Sequence, residues 1–184
     1  GSIGIFTRDT KYAVTGSSTA GYQAAEAVSR RGIAGFNCYT VTEHGVIFVA
    51  RDGVFLTSFV GADTELSEKI KPIFTGTEVI NTESLINWTY ANTISCEYFQ
   101  GRLYVSFPTT GNTTPNRMAI YSFDTREWYF YDYGPRTLFG EDDVKTLTGG
   151  FTDGKVYTLE DGVSDNGSDI ALSAETKEFD IGMR

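Results

Sequence analysis

Few residues of this chain have the types and spacing needed for catalysis. The one histidine, His44, stands beside Gly45 in a predicted turn, where a histidine is usually just solvated. The cysteines Cys38 and Cys96 lie in apolar segments, so buried free thiols are expected, with a disulfide or a catalytic thiol as alternatives. No Ser-His-Asp set has a second candidate histidine, and no phosphate loop or zinc motif occurs. The sequence therefore predicts a protein that is not an enzyme and has no cofactor or metal.

One loop carries enough oxygen ligands to be considered as a cation site. Residues 161–169 read Asp-Gly-Val-Ser-Asp-Asn-Gly-Ser-Asp, which is faintly like a calcium loop. The run lacks the alternating ligand spacing and the distal bidentate glutamate of an EF-hand. Turn chemistry explains the same residues, so a plain loop is favoured over a cation site.

A dense aromatic run offers the candidate binding surface. Alternation along a strand puts Trp128 and Phe130 on one face of the sheet. The other face takes Tyr129, Tyr131 and Tyr133. A row of tyrosines can bind a sugar or a protein, and the predicted contact residues are Trp128, Tyr129, Tyr131 and Tyr133. Packing against a neighbouring sheet is the alternative for the same residues.

A short repeated phrase predicts the elements that hold these side chains. It reads glycine, any residue, aliphatic, aromatic, β-branched, and its complete copies start at Gly45, Gly101 and Gly154. With a weaker copy near the start of the chain, the aliphatic positions are Ile5, Ile47, Leu103 and Val156. Their spacing of roughly 40–55 residues is typical of propeller blades. We expect these four side chains to be buried at equivalent places in successive blades.

The turn residues around the phrase predict antiparallel hairpins. Each glycine closes a turn, at 43–45, 99–101 and 153–154, where glycine adopts a positive φ without cost. The third unit reads as four strands, at 93–99, 102–107, 118–123 and 128–133. Other strands are expected at 3–7, 11–15, 36–42, 46–50, 54–59, 145–152, 155–160 and 170–180, with 22–29 as a strand or irregular edge.

Helix is expected only in the link between the second and third units. Asp63 or Thr64 is a plausible N-cap for a short helix near 64–71 that Pro72 would end. A second helical turn is expected near 82–88. The predicted fold class is therefore all-β, a propeller or partial propeller of about four antiparallel units with one or two short helices.

Composition narrows the class of protein further. The chain has 184 residues, 40% of them hydrophobic, and a net charge of −9 that disfavours binding to a phosphate backbone. No stretch approaches the roughly 18 apolar residues of a membrane span, so membrane insertion is not expected. Gly1-Ser2 reads as a cloning remnant. Residues 1–184 are therefore interpreted as one propeller-like domain of a longer protein.

The order of several stretches resembles tail proteins of short-tailed bacteriophages, of the tail-nozzle or DNA-stabilisation type. One of them is Gly-Val-Ile-Phe-Val-Ala-Arg-Asp-Gly at 45–53, followed by Leu-Ser-Glu-Lys-Ile at 66–70. The others are 5–7 with 11–16, 102–107 with 120–124 and 127–129, and 149–157 with 165–170. The resemblance implies a structural component of the virion, made in the host cytoplasm, oligomeric about the tail axis and in contact with other tail proteins.

Two other functions stay open from the residues alone. A surface propeller that binds a glycan or a protein would rest on the tyrosine row. A propeller glycosidase would need acidic side chains that converge at the central channel. The position of Asp and Glu side chains relative to the propeller axis separates the glycosidase from the other two functions.

Overall fold

The computed structural model describes most of the chain as antiparallel β-structure. The described residues are 3–59, 61–77, 84–161, 164–165 and 168–169. Each sheet is built from strands that follow one another in the sequence, so each is an up-and-down meander. The expectation of an all-β chain with little helix is confirmed.

In the described residues, two four-stranded sheets stand between two three-stranded sheets in chain order, and a two-stranded pair follows them. The first sheet contains β1 (Ile3–Phe6), β2 (Lys11–Ser17) and β3 (Gly21–Glu26). The second contains β4 (Tyr39–Thr42), β5 (Gly45–Ala50), β6 (Gly53–Thr57) and β7 (Thr64–Glu65). The third contains β8 (Ser95–Phe99), β9 (Arg102–Phe107), β10 (Arg117–Ser122) and β11 (Glu127–Tyr131). The fourth contains β12 (Thr137–Glu141), β13 (Thr146–Gly150) and β14 (Val156–Leu159), and β15 (Ser164–Asp165) pairs with β16 (Ser168–Asp169).

The three predicted glycine hairpins are present. The pair Thr42 and Gly45 closes a two-residue loop between β4 and β5. In the β8–β9 loop, Gln100 and Gly101 have φ of 47° and 76°. Two consecutive positive φ values match the type I′ turn, whose twist suits the right-handed twist of the flanking strands. The third hairpin joins β13 to β14, with Gly154 at φ 79°.

The middle strands are buried on both faces, and their side chains alternate between two core regions. In β5, Ile47 and Val49 face the third sheet, while Phe48 faces the first sheet. In β9, Leu103 faces the second sheet, while Tyr104 faces the fourth. A strand side chain changes face at every residue, so one strand supplies apolar groups to both of its neighbours. The hydrophobic core therefore lies between successive sheets.

The first strands of the second, third and fourth sheets lie side by side, with β8 between β4 and β12. On one side, the Cys96 amide donates to the Asn37 carbonyl at 3.1 Å. On the same side, the Tyr98 amide donates to Thr40 Oγ1 at 3.3 Å. On the other side, the Gly140 amide donates to the carboxylate of β8's glutamate. Hydrogen bonds thus connect β8 to both neighbouring sheets.

The repeated phrase does not mark equivalent places, so that prediction is wrong. Ile47 and Leu103 are fully buried, but Ile5 is 46% and Val156 is 72% exposed. The first two lie in the second strand of their sheets, whereas Val156 lies in the third strand of its sheet and Ile5 in the first of its sheet. The glycine hairpin at Gly154 joins a different pair of strands, which moves the phrase by one strand.

The fourth sheet starts earlier than expected. The sequence does not predict its first strand, β12, because Gly140, the fourth of the five residues, weakens the strand pattern. An added Cβ at Gly140 would lie 2.9 Å from the Phe99 ring, so glycine lets β12 approach β8 closely. The strand expected at 170–180 lies outside the described residues.

The predicted helix near 64–71 is displaced, and its capping residues have other roles. Thr64 belongs to β7, and the helix α1 (Lys71–Thr75) follows a short 3-10 turn (Glu68–Ile70). Pro72 lies in the first turn of α1, where its missing N–H leaves no bond unmade, so it begins the helix rather than ending it. Asp63 is not an N-cap, because its carboxylate pairs with Lys11.

The second helical turn also begins later than expected. Residues 81–83 lie outside the described residues, and Ile86 forms a β-bridge with Thr109 instead of a helical turn. A 3-10 segment spans Trp88–Thr93, and the Asn87 side chain caps it by accepting from the Thr89 amide at 3.2 Å. The region 22–29, expected to be a strand or an irregular edge, is β3 over most of its length.

Candidate functional site

The aromatic run occupies β11 and its continuation, and alternation separates its side chains as expected. Trp128 packs against the core between the second and third sheets, with its ring centroid 5.1 Å from that of Tyr121. The Trp128 indole N–H donates to the Leu66 carbonyl at 2.9 Å. The polar atom of this side chain is therefore used within the fold, and its ring links the third sheet to the segment before α1.

The three tyrosines lie on the opposite face and differ in exposure. Tyr131 and Tyr133 pack against the core between the third and fourth sheets, with ring centroids 5.4 Å apart. Tyr129 is 49% exposed. The four predicted contact residues therefore do not form one continuous patch, since Trp128 faces the other neighbouring sheet. Whether any of them binds a partner stays a prediction.

Glu97 is a candidate site residue that sequence reasoning did not single out. Its carboxyl group is half-buried on β8, beside β12, and accepts from the Gly140 amide. Burial raises the pKa of Glu97 from 4.5 to about 7, and the negative charge of Asp142 adds to the rise. The sequence offered no signal for this residue, because Gly140 and Asp142 lie more than a whole meander further along the chain.

A groove lies beside Glu97 where three sheets meet. It encloses about 360 Å³ and is lined by the first strands of three sheets: β4, β8 and β12. Ser95, two residues before Glu97 on the same face of β8, is 3% exposed, and its hydroxyl has no hydrogen-bond partner. Phe36 and Tyr39 border the groove at the second sheet, but the Tyr39 ring lies on the other face of β4, with its centroid 6.3 Å from that of Phe6 in the first sheet. A half-buried acid and a buried hydroxyl without a hydrogen-bond partner therefore lie beside one groove.

The two cysteines are buried free thiols, as expected. Cys38 lies against backbone carbonyls, with Sγ 3.7 Å from the Ile94 oxygen. Burial raises the pKa of Cys38 to about 12, and burial also raises the pKa of Cys96 well above its ordinary value. A thiolate nucleophile needs a lowered pKa, so neither thiol is activated.

His44 lies in the β4–β5 turn, stacked on the Phe123 ring with centroids 5.2 Å apart. Its Nε2 is 3.6 Å from the neighbouring Glu43 carboxylate. Among the described residues, no three His, Cys, Asp or Glu side chains are placed to hold a metal ion. Residues 162, 163, 166 and 167 of the loop at 161–169 lie outside the described residues, so the choice between a plain loop and a cation site stays a prediction.

Glu160 forms a second carboxylate cluster, which joins the third and fourth sheets. Its Oε2 accepts from Arg102 Nη1 at 2.9 Å and from Tyr104 Oη at 2.7 Å. Its Oε1 accepts from Tyr131 Oη at 3.2 Å. Burial and this carboxylate raise the pKa of Tyr104 and of Tyr131. Both carboxylate oxygens of Glu160 accept hydrogen bonds from side chains of the third sheet, so the cluster connects the third sheet to the end of the fourth.

Lys11 and Asp63 form a fully buried ion pair between the first and second sheets, with Nζ 2.7 Å from Oδ2. Ser29 donates its hydroxyl to the same oxygen at 2.5 Å. Lys11 also lies over the Phe48 ring, 5.1 Å from its centroid. This pair was not predicted, since its members lie far apart in sequence on separate elements.

A larger apolar groove lies between the first and second sheets. It encloses about 810 Å³ and runs between β1 and the strands β4 to β6. Several of its lining side chains are exposed: Ile3, Ile5, Phe36, Tyr39 and Val41. The described residues leave this surface open.

Comparison with protein-family models gives no match, and comparison with curated proteins gives none either. In the described part of the chain, none of the helices has the length and apolar character needed to cross a bilayer. The resemblance to phage tail proteins rests only on the stretches of this sequence named above, because neither comparison adds a match.

Proposed function

We propose that this chain is a structural and interaction module of a bacteriophage tail, with its sheets arranged as the blades of a partial propeller. It acts without a catalytic centre, in a tail-nozzle or tail-tube component that forms oligomers about the tail axis and contacts other tail proteins. The order of motifs along the chain is the reason for choosing a phage tail over other settings.

The placement of β4, β8 and β12 is the observation that carries the propeller arrangement. Consecutive meanders whose first strands lie side by side are what blades around an axis require. The apolar contacts lie between the broad faces of neighbouring sheets, as they do between blades.

The end sheets support a partial ring. In the fourth sheet, Leu138, Leu147 and Leu159 pack against the third sheet. Phe139 and Val156, on its other face, are 61% and 72% exposed. At the opposite end, every residue of β3 is exposed. An end blade without its neighbour has such an uncovered face, and further blades or partner proteins would cover it.

Immunogold labelling of intact phage particles that encode this chain tests the proposal. Antibodies raised against the purified domain should place gold at the tail, and particles pre-incubated with excess domain should lose the label. Gold on the capsid, or none on particles opened to expose all tail surfaces, would contradict a tail component. Immunoblots of the purified particles, run in parallel, show whether the chain is present.

Glycoside hydrolysis is the second candidate, and the raised pKa of Glu97 favours it. A carboxylic acid that keeps its proton near neutral pH can act as a general acid, and the negative charge of Asp142 helps Glu97 to keep its proton. Glycosides, esters and phosphodiesters should be screened with and without calcium. Turnover that disappears in Glu97→Gln but persists in Asp143→Asn, an exposed neighbour, would favour the enzyme over the structural module.

A further inference from the structure

We propose that the two uncovered end faces of this chain bind each other between copies: the outer face of the fourth sheet packs on the outer face of the first sheet of a second copy. The inference rests on the partial ring of the proposed function, and it names what covers the two ends. Two features carry it, the composition of both faces and the direction in which the sheets follow one another.

The outer face of the first sheet is apolar. Phe6 packs on the second sheet, so Ile3 and Ile5, which alternate with it, present their side chains on the other face of β1. They are 63% and 46% exposed, and they border the apolar groove only at the edge of β1. The pairing of β1 with β2 places Val14 beside Ile3 and Tyr12 beside Ile5 on this outer face. An exposed apolar face of this kind marks an interaction surface.

The outer face of the fourth sheet carries two large apolar groups among small residues. Leu138 packs against the third sheet, so its neighbour Phe139 points to the outer face, where it is 61% exposed. Val156 is 72% exposed on the same face. Thr148 pairs with Phe139, and Gly150 pairs with Val156. The small residues leave room beside the two large groups for the side chains of another sheet.

The order of the sheets gives the contact its direction. Within the chain, a middle sheet packs one face on the preceding sheet and the opposite face on the following sheet. Among the described three- and four-stranded sheets, the first has no preceding sheet and the fourth has no following sheet. A second copy docked head to tail presents the missing kind of face at each end. Such a heterologous contact closes into a ring when the rotation from copy to copy permits.

The size of the faces makes the contact weak. The fourth sheet is three strands wide, and its strands have four or five residues. At ordinary strand spacing its face therefore measures about 14 by 17 Å, which is small for a stable interface, so a Kd of about 10–100 µM is expected. The net charge of −9 on each copy adds a repulsion that salt screens. The purified chain should be a monomer when dilute and associate when concentrated.

Sedimentation velocity of the whole chain, at about 5 to 500 µM in about 0.3 M salt, tests the inference. The wild type should change from a monomer to larger species across this range. Ile5→Arg and Val156→Arg each place a charge on one end face, so each variant alone should associate at least about tenfold more weakly. An equimolar mixture of the two should form a 1:1 dimer that does not grow, because one intact face of each kind remains.

Val41→Arg is the matched control. Val41 is 70% exposed, but it lines the groove between the first and second sheets and lies on neither end face. This variant should associate as the wild type does. Thermal melts establish that each variant is folded. Should Ile5→Arg or Val156→Arg fail to fold, Tyr22→Arg on β3 or Phe139→Arg on β12 blocks the same face, since these side chains are 67% and 61% exposed.

Three results would overturn the inference. They are a wild type that is monomeric at every concentration, a mixture of the two blocked variants that forms no dimer, and a blocked variant that self-associates as strongly as the wild type. A loss of association in Val41→Arg equal to that in the end-face variants would place the contact in the groove and contradict it as well. The immunogold experiment reads the location of the chain independently, so a monomeric domain would leave the tail assignment standing.

Discussion

Glu97 illustrates how one side chain can oppose the stability of the sheet that holds it. Its folded-state pKa of about 7 lies above the ordinary 4.5, because burial and Asp142 disfavour its charge. Between these two values the folded chain binds more protons than the unfolded chain. Glu97 therefore does not reduce the free energy of unfolding below about pH 4.5, and this free energy falls as the pH rises from there through about 7.

Replacing Glu97 by glutamine should remove this pH dependence. At about pH 8, Glu97→Gln should be more stable than the wild type by about 1 kcal/mol, a value reduced for the partial exposure of the carboxyl group. At about pH 4 the two should be equal within error. Urea unfolding at both pH values measures the difference, and Asp143→Asn serves as the exposed control. A wild type that is more stable than the variant at the higher pH would contradict the raised pKa.

Leu103 and Val156 differ in environment, and their truncations should differ accordingly. Leu103 is fully buried between the second and third sheets, so Leu103→Ala should cost about 2–5 kcal/mol through lost transfer energy and a cavity. Val156 is 72% exposed on the outer face of the fourth sheet, so Val156→Ala should cost less than about 0.5 kcal/mol. Chemical denaturation measures both. Similar losses in the two variants would mean that the outer face is covered in solution.

The burial or ionisation of a single residue was predictable from the sequence where residues adjacent in the chain determine it. The cysteines stand in apolar segments, and burial as free thiols followed from that setting. Glu97 gave no such signal, since the groups that raise its pKa come from β12 and the following turn. The buried Lys11 was likewise hidden, because its partner Asp63 resembled a helix cap in the sequence.

At the scale of elements, hairpins were the most predictable feature. The loops at Gly45, Gly101 and Gly154 depend on local turn chemistry, which a few consecutive residues determine. The sequence did not predict β12, because Gly140 near the end of this strand is explained only by its contact with Phe99 of another sheet. The position of Pro72 was misread, because proline both begins and follows helices and the choice depends on tertiary contacts.

The junction of the first two sheets depends on the ion pair of Lys11 and Asp63. Both side chains are fully buried, so Lys11→Met leaves the Asp63 carboxylate without its counter-charge. The cost should be about 3–5 kcal/mol, and Asp63→Leu in addition should recover most of it. Urea unfolding of the single and double variants measures the coupling, with the exposed Lys155→Met as the control. A loss below about 1 kcal/mol in Lys11→Met would show that the pair is hydrated in solution.

At the scale of the whole molecule, the sheets follow one another in a row, and each middle sheet is packed on both faces. The sequence predicted the strands of the third sheet best, since all four were expected almost at their observed bounds. The relation between sheets was not recoverable from the repeated phrase, because the phrase falls on different strands in different sheets. Turn chemistry specifies hairpins, whereas the placement of one sheet against the next depends on long-range packing.

Cryo-electron microscopy of the tail of a phage that encodes this chain tests the central proposal most directly. The proposal predicts copies of the domain arranged about the tail axis, each with its sheets as successive blades and with β4, β8 and β12 lining the blade axis. Covered outer faces at Phe139 and Val156, against further blades or partner proteins, are also expected. A tail map at side-chain resolution that has no density for this domain, or in which the three first strands do not share an axis, would contradict it.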